Sequence, residues 1–221
     1  MILIQTEDAI IARLRLGLGR MVTEVGSYGG ELDEGLEEAI RRFPAAWVTF
    51  GGVTKTDPYG TSRQKFKATG QFVVMVGERS VRSEAAGRRG GPAEGEVGSY
   101  PLVYAVRRLL SSQDLGLPIE ALMPGRVRTL YNTRLERQAF SVFACEFQTA
   151  WIEEALPRDH WPSPPAPGTP EAETSPDAVF ARYQGKLGQP DPDWLRTGLN
   201  YHLTPDDGQA DAQDLITRSE P

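Results

Sequence analysis

The 221-residue sequence contains one cysteine and two histidines. The single cysteine, Cys145, excludes an internal disulfide and argues against a thiolate metal cage, which needs several sulfur ligands. His160 and His202 both follow residue 156, so the body of the chain has no histidine that could activate a serine or cysteine nucleophile. His202 lies near Asp206 and Asp207, but the spacing matches no metal-ligand pattern. The sequence therefore predicts a protein that is not an enzyme, without catalytic residues, cofactor or metal.

Long apolar runs and basic clusters are also missing from the sequence. No stretch approaches the roughly 18 to 20 apolar residues that span a bilayer. The start, Met1-Ile2-Leu3-Ile4, runs into polar residues without a basic lead, so we expect no signal peptide and a soluble product in the cytoplasm. Phosphate binding requires a clustered basic surface, which the sequence does not provide. We therefore expect neither a membrane partner nor sequence-specific binding to nucleic acid.

Charge and proline are distributed unevenly along the chain. Residues 1–158 hold 20 Lys and Arg against 19 Asp and Glu, whereas residues 159–221 hold 4 against 11. Seven of the 17 prolines lie between Pro157 and Pro176, where they disfavour both helix and sheet hydrogen bonding. These shifts predict three parts: a core domain over residues 1–156, an extended proline-rich linker over 157–176 and an acidic C-terminal arm over 177–221.

Apolar residues at helical spacing predict three helices in the core domain. The first ends at Gly17 to Gly19, with Thr6-Glu7-Asp8 as its capping and acidic first turn. The second is capped by Asp33 and stopped by Pro44, and the third is capped by Ser99. Their apolar stripes are Leu3, Ile10, Ile11, Leu14 and Leu18 in the first, Leu36, Ala39, Ile40 and Phe43 in the second, and Leu102, Val106, Leu109 and Leu110 in the third.

Runs rich in aromatic and β-branched residues predict the strands. The runs are Met21–Gly26, Ala45–Phe50, Lys65–Val76, Gly125–Tyr131 and Gln138–Ile152. The second and third form a long hairpin, and Asn132-Thr133-Arg134 is predicted to turn the chain between the last two. The resulting order, α-β-α-β-β-loop-α-β-β-arm, is typical of an α+β fold: a mixed, mostly antiparallel sheet with helices packed on it, followed here by an extended arm.

Strict alternation in the last strand assigns its side chains to two faces. One face carries Ser141, Phe143, Cys145, Phe147, Thr149 and Trp151, and the other carries Phe140, Val142, Ala144, Glu146 and Gln148. Cys145 is thus predicted to lie among core aromatic residues. Burial there would raise the pKa of its thiol, so we interpret Cys145 as a small buried hydrophobe rather than a nucleophile.

The segment from Gly77 to Ser99 lacks apolar periodicity and alternates glycine with charged residues, which indicates a long mobile loop. Loops of this length are commonly functional, so its arginines are candidates for an assembly contact. These arginines are Arg79, Arg82, Arg88 and Arg89. The stretch Gly87–Gly91 could cradle an anion, but it lacks the Gly-Lys-Ser/Thr ending of a phosphate loop. A solvated loop is therefore favoured.

The acidic arm contains isolated apolar residues, of which Trp194, Leu199 and Tyr201 are candidate anchors. An arm on a small rigid body can bury such anchors on a neighbouring subunit. Docking of the same residues on their own chain is the alternative.

Several strings in the core domain resemble the tail terminator family of Mu-like phages and prophages. The resemblance spans most of residues 5–151 and depends on the order and spacing of strings that are weak alone. The strings are Glu7-Asp8-Ala9-Ile10, Ala12-Arg13-Leu14, Tyr28-Gly29-Gly30-Glu31-Leu32-Asp33, Phe43-Pro44-Ala45, Phe50-Gly51-Gly52, Arg82-Ser83-Glu84-Ala85-Ala86-Gly87-Arg88-Arg89-Gly90, Gln113-Asp114-Leu115-Gly116-Leu117 and Pro124-Gly125-Arg126-Val127-Arg128. The linker and the arm reach beyond this shared core, although Asp193-Trp194-Leu195 and Leu203-Thr204-Pro205-Asp206-Asp207-Gly208 also resemble the family.

The resemblance implies a structural subunit of the virion, at the head-proximal end of the tail. Such a subunit forms a homo-oligomeric ring, expected to be a hexamer, on the last ring of tail-tube protein, stops polymerisation and presents a surface to the head-tail connector. The implied partners are other copies of the chain, the tail tube protein and the connector protein. Two alternatives stay open: a head-completion or connector ring subunit, and a small enzyme of another type.

Overall fold

The structure, a computed structural model, describes residues 1–30, 32, 36–80, 88–91, 97–135, 138–165, 168–188, 196–202 and 212–217. The chain divides into two compact units, Met1–Pro157 and Arg158–Pro221. Among the described residues, no helix is long and apolar enough to cross a membrane.

The first unit alternates helices and strands in the order that the sequence predicts. Its elements are α1 (Ile2–Leu18), a short 3-10 turn (Gly19–Met21), β1 (Glu24–Ser27), α2 (Leu36–Arg42), β2 (Ala45–Tyr59), β3 (Lys65–Ser80), α3 (Ser99–Leu110), β4 (Met123–Leu135) and β5 (Gln138–Glu154). The predicted α+β class is confirmed.

One five-stranded sheet, in the order β1-β2-β3-β5-β4, organises the first unit. β1 pairs with β2 in parallel, and all other neighbours are antiparallel, so the sheet is mixed as predicted. Along the chain, α2 lies between the two parallel strands, so β1, α2 and β2 form one crossover unit. The periodicity of the sequence did not indicate this unit. β3 and β5 pair without a register shift from Lys65 opposite Glu154 to Ser80 opposite Ala139. These two strands are the centre of the fold.

Helices cover both faces of the sheet. On one face, α1 and α3 bury apolar stripes at helical spacing against even-numbered residues of β3. The stripes are Ile10, Ile11, Leu14 and Leu18 from α1 and Leu102, Val106 and Leu110 from α3. On the other face, α2 packs a smaller cluster that includes Phe43, Trp47 and Phe140. Gly77 lies under the Phe43 ring so closely that a Cβ atom would overlap it, which makes glycine a packing requirement at this position.

The predicted alternation of β5 is confirmed. Phe143, Cys145 and Phe147 belong to the cluster under α1 and α3, whereas Phe140 and Val142 belong to the cluster under α2. Cys145 is fully buried and shares its cluster with Phe72 and Phe147, as the sequence predicts.

Two helix starts differ from the prediction. α1 already begins at Ile2, so Thr6 lies inside the helix, where its hydroxyl donates to the Ile2 carbonyl at 2.8 Å instead of capping. α3 is capped by Gly98, and Ser99 is its first helical residue. The Ser99 hydroxyl shares a 3.0 Å hydrogen bond with the hydroxyl of buried Ser141 and so ties α3 to β5. The predicted cap Asp33 lies outside the described residues.

Four strands are longer than predicted, although β5 exceeds its prediction by only two residues, to Glu154. β2 continues to Tyr59 through the expected connection, with register shifts between Phe50 and Lys55 that absorb the glycines there. β3 continues to Ser80, so residues 77–80 belong to a strand and not to the mobile loop. The turn predicted at Asn132-Thr133-Arg134 is wrong, because these residues pair with Ser141, Phe140 and Ala139 in the ladder.

The second unit contains short elements of its own. Pro170–Thr174 and Ala178–Arg182 form single helical turns (α4 and α5), and Arg196–Tyr201 (β6) pairs antiparallel with Ala212–Thr217 (β7). An extended chain is therefore wrong for Pro170–Thr174, whereas the short helix predicted within residues 177–184 is confirmed. The segments before α4 and after α5 contact each other. The Gly188 N–H donates to the Pro162 carbonyl at 2.9 Å, and the Lys186 ammonium lies 4.3 Å from the centre of the Trp161 ring.

Candidate interaction surfaces

The first candidate surface is the end of the sheet where the long loop leaves β3, here called the arginine end. Arg79 lies opposite Phe140, and Ser80 lies opposite Ala139, which also pairs with Arg134 of β4. The side chain of Arg79 is exposed. The pairing of three neighbouring strands therefore brings Arg79 and Arg134 to the same end of the sheet, although 55 positions separate them in the sequence.

The described part of the loop, residues 88–91, is packed at this end and is not free. Gly98 has φ +80° and ψ 149°, a conformation that is essentially restricted to glycine. A Cβ atom on Gly98 would overlap the Gly90 nitrogen and lie 2.8 Å from the Arg89 carbonyl carbon. The backbone of the loop thus contacts the residue that caps α3. Arg89 is exposed and Arg88 is half-buried, while Arg82 lies outside the described residues.

Gly98→Ala is expected to lower the free energy of unfolding by about 3 kcal/mol or more. The strained backbone conformation contributes about 1 to 3 kcal/mol, and overlap with neighbouring backbone atoms adds a similar cost. Urea unfolding followed by circular dichroism measures the difference. Gly52→Ala is the matched control, because Gly52 also has a positive φ, +99°, but no atom lies within 4 Å of its Cβ position. Equal losses for the two variants would show that the loop does not press on Gly98.

The opposite end of the sheet, the hairpin end, has a different electrostatic character. Lysines there are paired with carboxylates: Lys65 with Glu154 at 2.5 Å, Lys67 with Glu120 at 2.5 Å and Lys55 with Asp57 at 2.8 Å. A hydrogen bond to Glu154, reinforced by its charge, raises the pKa of Lys65 above its ordinary value. The lysine charges at the hairpin end are therefore compensated by neighbouring carboxylates.

The third candidate surface is the β6–β7 sheet of the second unit. Thr197, Leu199 and Tyr201 alternate onto one face of β6, and their cross-strand partners Ile216, Asp214 and Ala212 share that face. Leu199 and Tyr201 are 38% and 46% exposed. Two of the three predicted anchors thus lie side by side on an open surface. The third, Trp194, lies outside the described residues.

Comparison with known proteins decides the family. Residues 2–152 match the family described as Bacteriophage Mu, Gp37. The chain belongs to the bacteriophage Mu Gp37 family. No curated protein matches the chain.

The Gp37 match coincides with the first unit. It begins at the first residue of α1 and ends two residues before the end of β5, so it includes both helical layers and all but the last two residues of the five-stranded sheet. The second unit lies outside it. Family membership identifies the chain as a phage structural or morphogenesis protein, and it agrees with the Mu-like family that the strings of the sequence resemble.

Groups for catalysis are sparse among the described residues of this family member. Among the described residues, no three His, Cys, Asp or Glu side chains lie close enough to hold a metal ion. Burial raises the pKa of the Cys145 thiol to about 12, and the charge of Arg107 offsets this only in part. The thiol is therefore protonated at neutral pH and is a poor nucleophile, as predicted.

The buried thiol makes stability sensitive to alkaline pH. An unfolded cysteine ionises near the ordinary value of 9, whereas folded Cys145 does so only near 12. Between these values the unfolded chain releases a proton that the folded chain retains, so the free energy of unfolding falls as pH rises. About 1.5 pH units above the unfolded pKa, the loss is about 2 kcal/mol. Urea unfolding of the protein and of Cys145→Ala at several pH values measures it; parallel curves for the two proteins would contradict the assignment.

Proposed function

We propose that this Gp37 protein is a tail terminator, a structural subunit that forms a ring on the end of the tail tube and stops its growth. The family match over residues 2–152 carries the proposal, because it covers the helices of the first unit and nearly the whole sheet. The proposed partners are other copies of the chain, the tail tube protein and the head-tail connector protein. The proposed location is the head-proximal end of the tail, and the proposed role requires no catalysis.

The chemistry of the two ends of the sheet supports this role. A tube grows because each added ring offers the next ring the same surface, so a terminator must bind the tube with one surface and present a different one beyond it. The arginine end carries exposed Arg79 and Arg89, whereas the lysines of the hairpin end are neutralised by Glu154, Glu120 and Asp57. We assign contact with the tube, or with the lumen at the end of the tube, to the arginine end.

A ring also requires two complementary lateral surfaces on every copy, because each copy contacts the next head-to-tail through unlike surfaces; the ring closes when the rotation between copies returns to the first one. The open face of the β6–β7 sheet, with Leu199 and Tyr201, is suited to one of these contacts. A ring of six copies is the expected stoichiometry, and sedimentation velocity or mass photometry of the purified protein measures it.

Negative-stain electron microscopy tests the proposal directly. The purified protein is mixed with its cognate polymerising tube protein, and both ring formation and the distribution of tube lengths are scored. Rings at the ends of short tubes would establish termination. Tubes of unchanged length beside intact rings would point to the other candidate, a head-completion or connector subunit, whose ring binds the head side only.

A further inference from the structure

β4 is a long edge strand of the core sheet. It pairs with β5 on one side, and no described strand pairs with its other side. The start of β4 is partly covered, because Arg107 of α3 donates to the Gly125 carbonyl at 3.0 Å. Further along, Val127 and Leu130 are 40% and 38% exposed, and Tyr131–Leu135 run in regular register with β5. Such an edge is a template for another strand.

The other free edges of the sheet are protected. β1 has four residues, and its Val25 carbonyl accepts a 3.0 Å hydrogen bond from Arg15 of α1. The part of β2 beyond β1 contains register shifts near Val53, a lysine at Lys55 and a proline at Pro58. Bulges, lysine and proline all hinder the addition of a strand. Lys55–Tyr59 of β2 is as long a regular stretch as Tyr131–Leu135 of β4, but only the β4 stretch is free of lysine and proline.

The charge of β4 selects an acidic partner. The strand contains three arginines, Arg126, Arg128 and Arg134, and no carboxylate. Arg128 is paired with Glu146 at 2.6 Å, whereas Arg126 is exposed and has no ion-pair partner among the described residues. Residues 159–221 hold 4 basic against 11 acidic residues. Attraction between these regions operates over about a Debye length, roughly 10 Å at 0.1 M salt.

The β6–β7 sheet needs a partner for its stability. A two-stranded hairpin alone is marginally stable in water, and a third strand or a packed apolar face is required. The apolar residues of β7 are open, since Leu215 and Ile216 are 62% and 47% exposed. β7 carries Asp214 and no basic residue, whereas β6 begins with Arg196 and carries no carboxylate. β7 is therefore the strand that matches the basic edge.

We propose that β7 of one copy adds to the β4 edge of the next copy and so extends its five-stranded sheet by the β6–β7 hairpin. The inference rests on the proposed function, because a ring gives each copy a neighbour on both sides. Every copy then donates one hairpin and receives another, which is the arrangement of unlike surfaces that closes a ring.

Cross-linking between full-length copies tests the inference. Leu130→Cys is prepared in one sample and Leu215→Cys in another; the samples are mixed and treated with a short bismaleimide. Native Cys145 is buried and therefore does not react with the bismaleimide. The matched control replaces Leu130→Cys by Leu16→Cys, which puts the thiol on the outer surface of α1, where Leu16 is 88% exposed. Circular dichroism confirms the fold of each variant.

The expected result is a cross-linked pair of one Leu130→Cys and one Leu215→Cys copy, in about tenfold higher yield than the Leu16→Cys control, because adjacent thiols react at a high effective concentration. Equal yields would overturn the inference. A Leu130→Cys/Leu215→Cys double variant that links only within single chains, with no product in the mixed samples, would overturn it as well. Cross-linking by a protein that fails to shorten tubes would instead refute termination and leave the contact between copies intact.

Discussion

Arg79→Glu/Arg89→Glu is expected to abolish the capping of tail tubes while the protein remains folded and assembled. Both side chains are exposed at the arginine end, and neither belongs to a core cluster. The double variant changes the charge of this end by four units per copy, and every copy in a ring repeats the change. Like charges placed across an interface cost several kcal/mol, which is enough to remove an assembly contact. Tubes grown with the variant should be as long as tubes grown without any terminator.

Arg63→Glu is the matched control for this experiment. Arg63 is exposed at the turn of the β2–β3 hairpin, at the opposite end of the sheet. The control should cap tubes as the unchanged protein does. Loss of capping in Arg63→Glu alone would assign the tube to the hairpin end and reject our assignment. Charge reversal is a cleaner probe than shortening the loop between Ala85 and Glu96, because shortening would remove the backbone that packs on Gly98.

Truncation after Pro157 is expected to eliminate rings and leave a folded monomer. All residues of the two core clusters precede Pro157, so the first unit retains its complete core. The truncated protein loses the β6–β7 sheet and the acidic surface that we assign to the contact between copies. Sedimentation velocity should show a single species of monomer mass, and thermal unfolding followed by circular dichroism should remain cooperative.

A second truncation, after Gly188, separates the parts of the second unit. It retains the segment that folds back between Trp161 and Gly188 and removes only β6, β7 and their flanks. We expect the same loss of rings, because the hairpin carries the contact. Rings from this shorter chain would assign assembly to residues 158–188, and rings from the Pro157 truncation would refute any assembly role for the second unit.

The sequence is informative where side-chain patterns are decided by burial. β5 alternates between two apolar clusters, and α1 and α3 each bury one stripe, so the two periodicities were readable without knowledge of the fold. The order of elements followed from them. Parallel pairing of β1 with β2 was not predictable in this way, since four residues carry too little pattern to indicate a direction.

Residues with a preference for turns or helix caps gave wrong predictions where strand pairing or tertiary contacts outweigh that preference. Asn132-Thr133-Arg134 contains residues that favour turns, yet the packing of Tyr131 and Phe140 in one cluster holds the strands together beyond it. The run that predicted β2 stops at Phe50, before Gly51 and Gly52, but a bulge accommodates these glycines within the strand. Ser99 suggested a cap, but its hydroxyl is used by Ser141 from another part of the chain.

The candidate surfaces were only partly predictable. The arginines of the loop and the anchors Leu199 and Tyr201 stood out by composition. Their environment did not, because the proximity of Arg134 to Arg79 depends on the register of three strands. The role of Gly98 was also not predictable from the sequence, because it depends on contact with a segment eight residues earlier. The pairing of β6 with β7 was missed because both strands are short and lie in turn-rich sequence.

The uninterrupted pairing of β3 with β5 has a mechanical consequence. Sixteen residues of β3 lie opposite β5 without a bulge, and at roughly 3.3 Å per residue the ladder is about 50 Å long. A strand pair of this kind contains no hinge, and its flanks are clamped by helices on both faces. The arginine end and the hairpin end are therefore connected by a stiff pair of strands. A load applied at one end would reach the other as displacement of the whole first unit instead of being absorbed by bending within it.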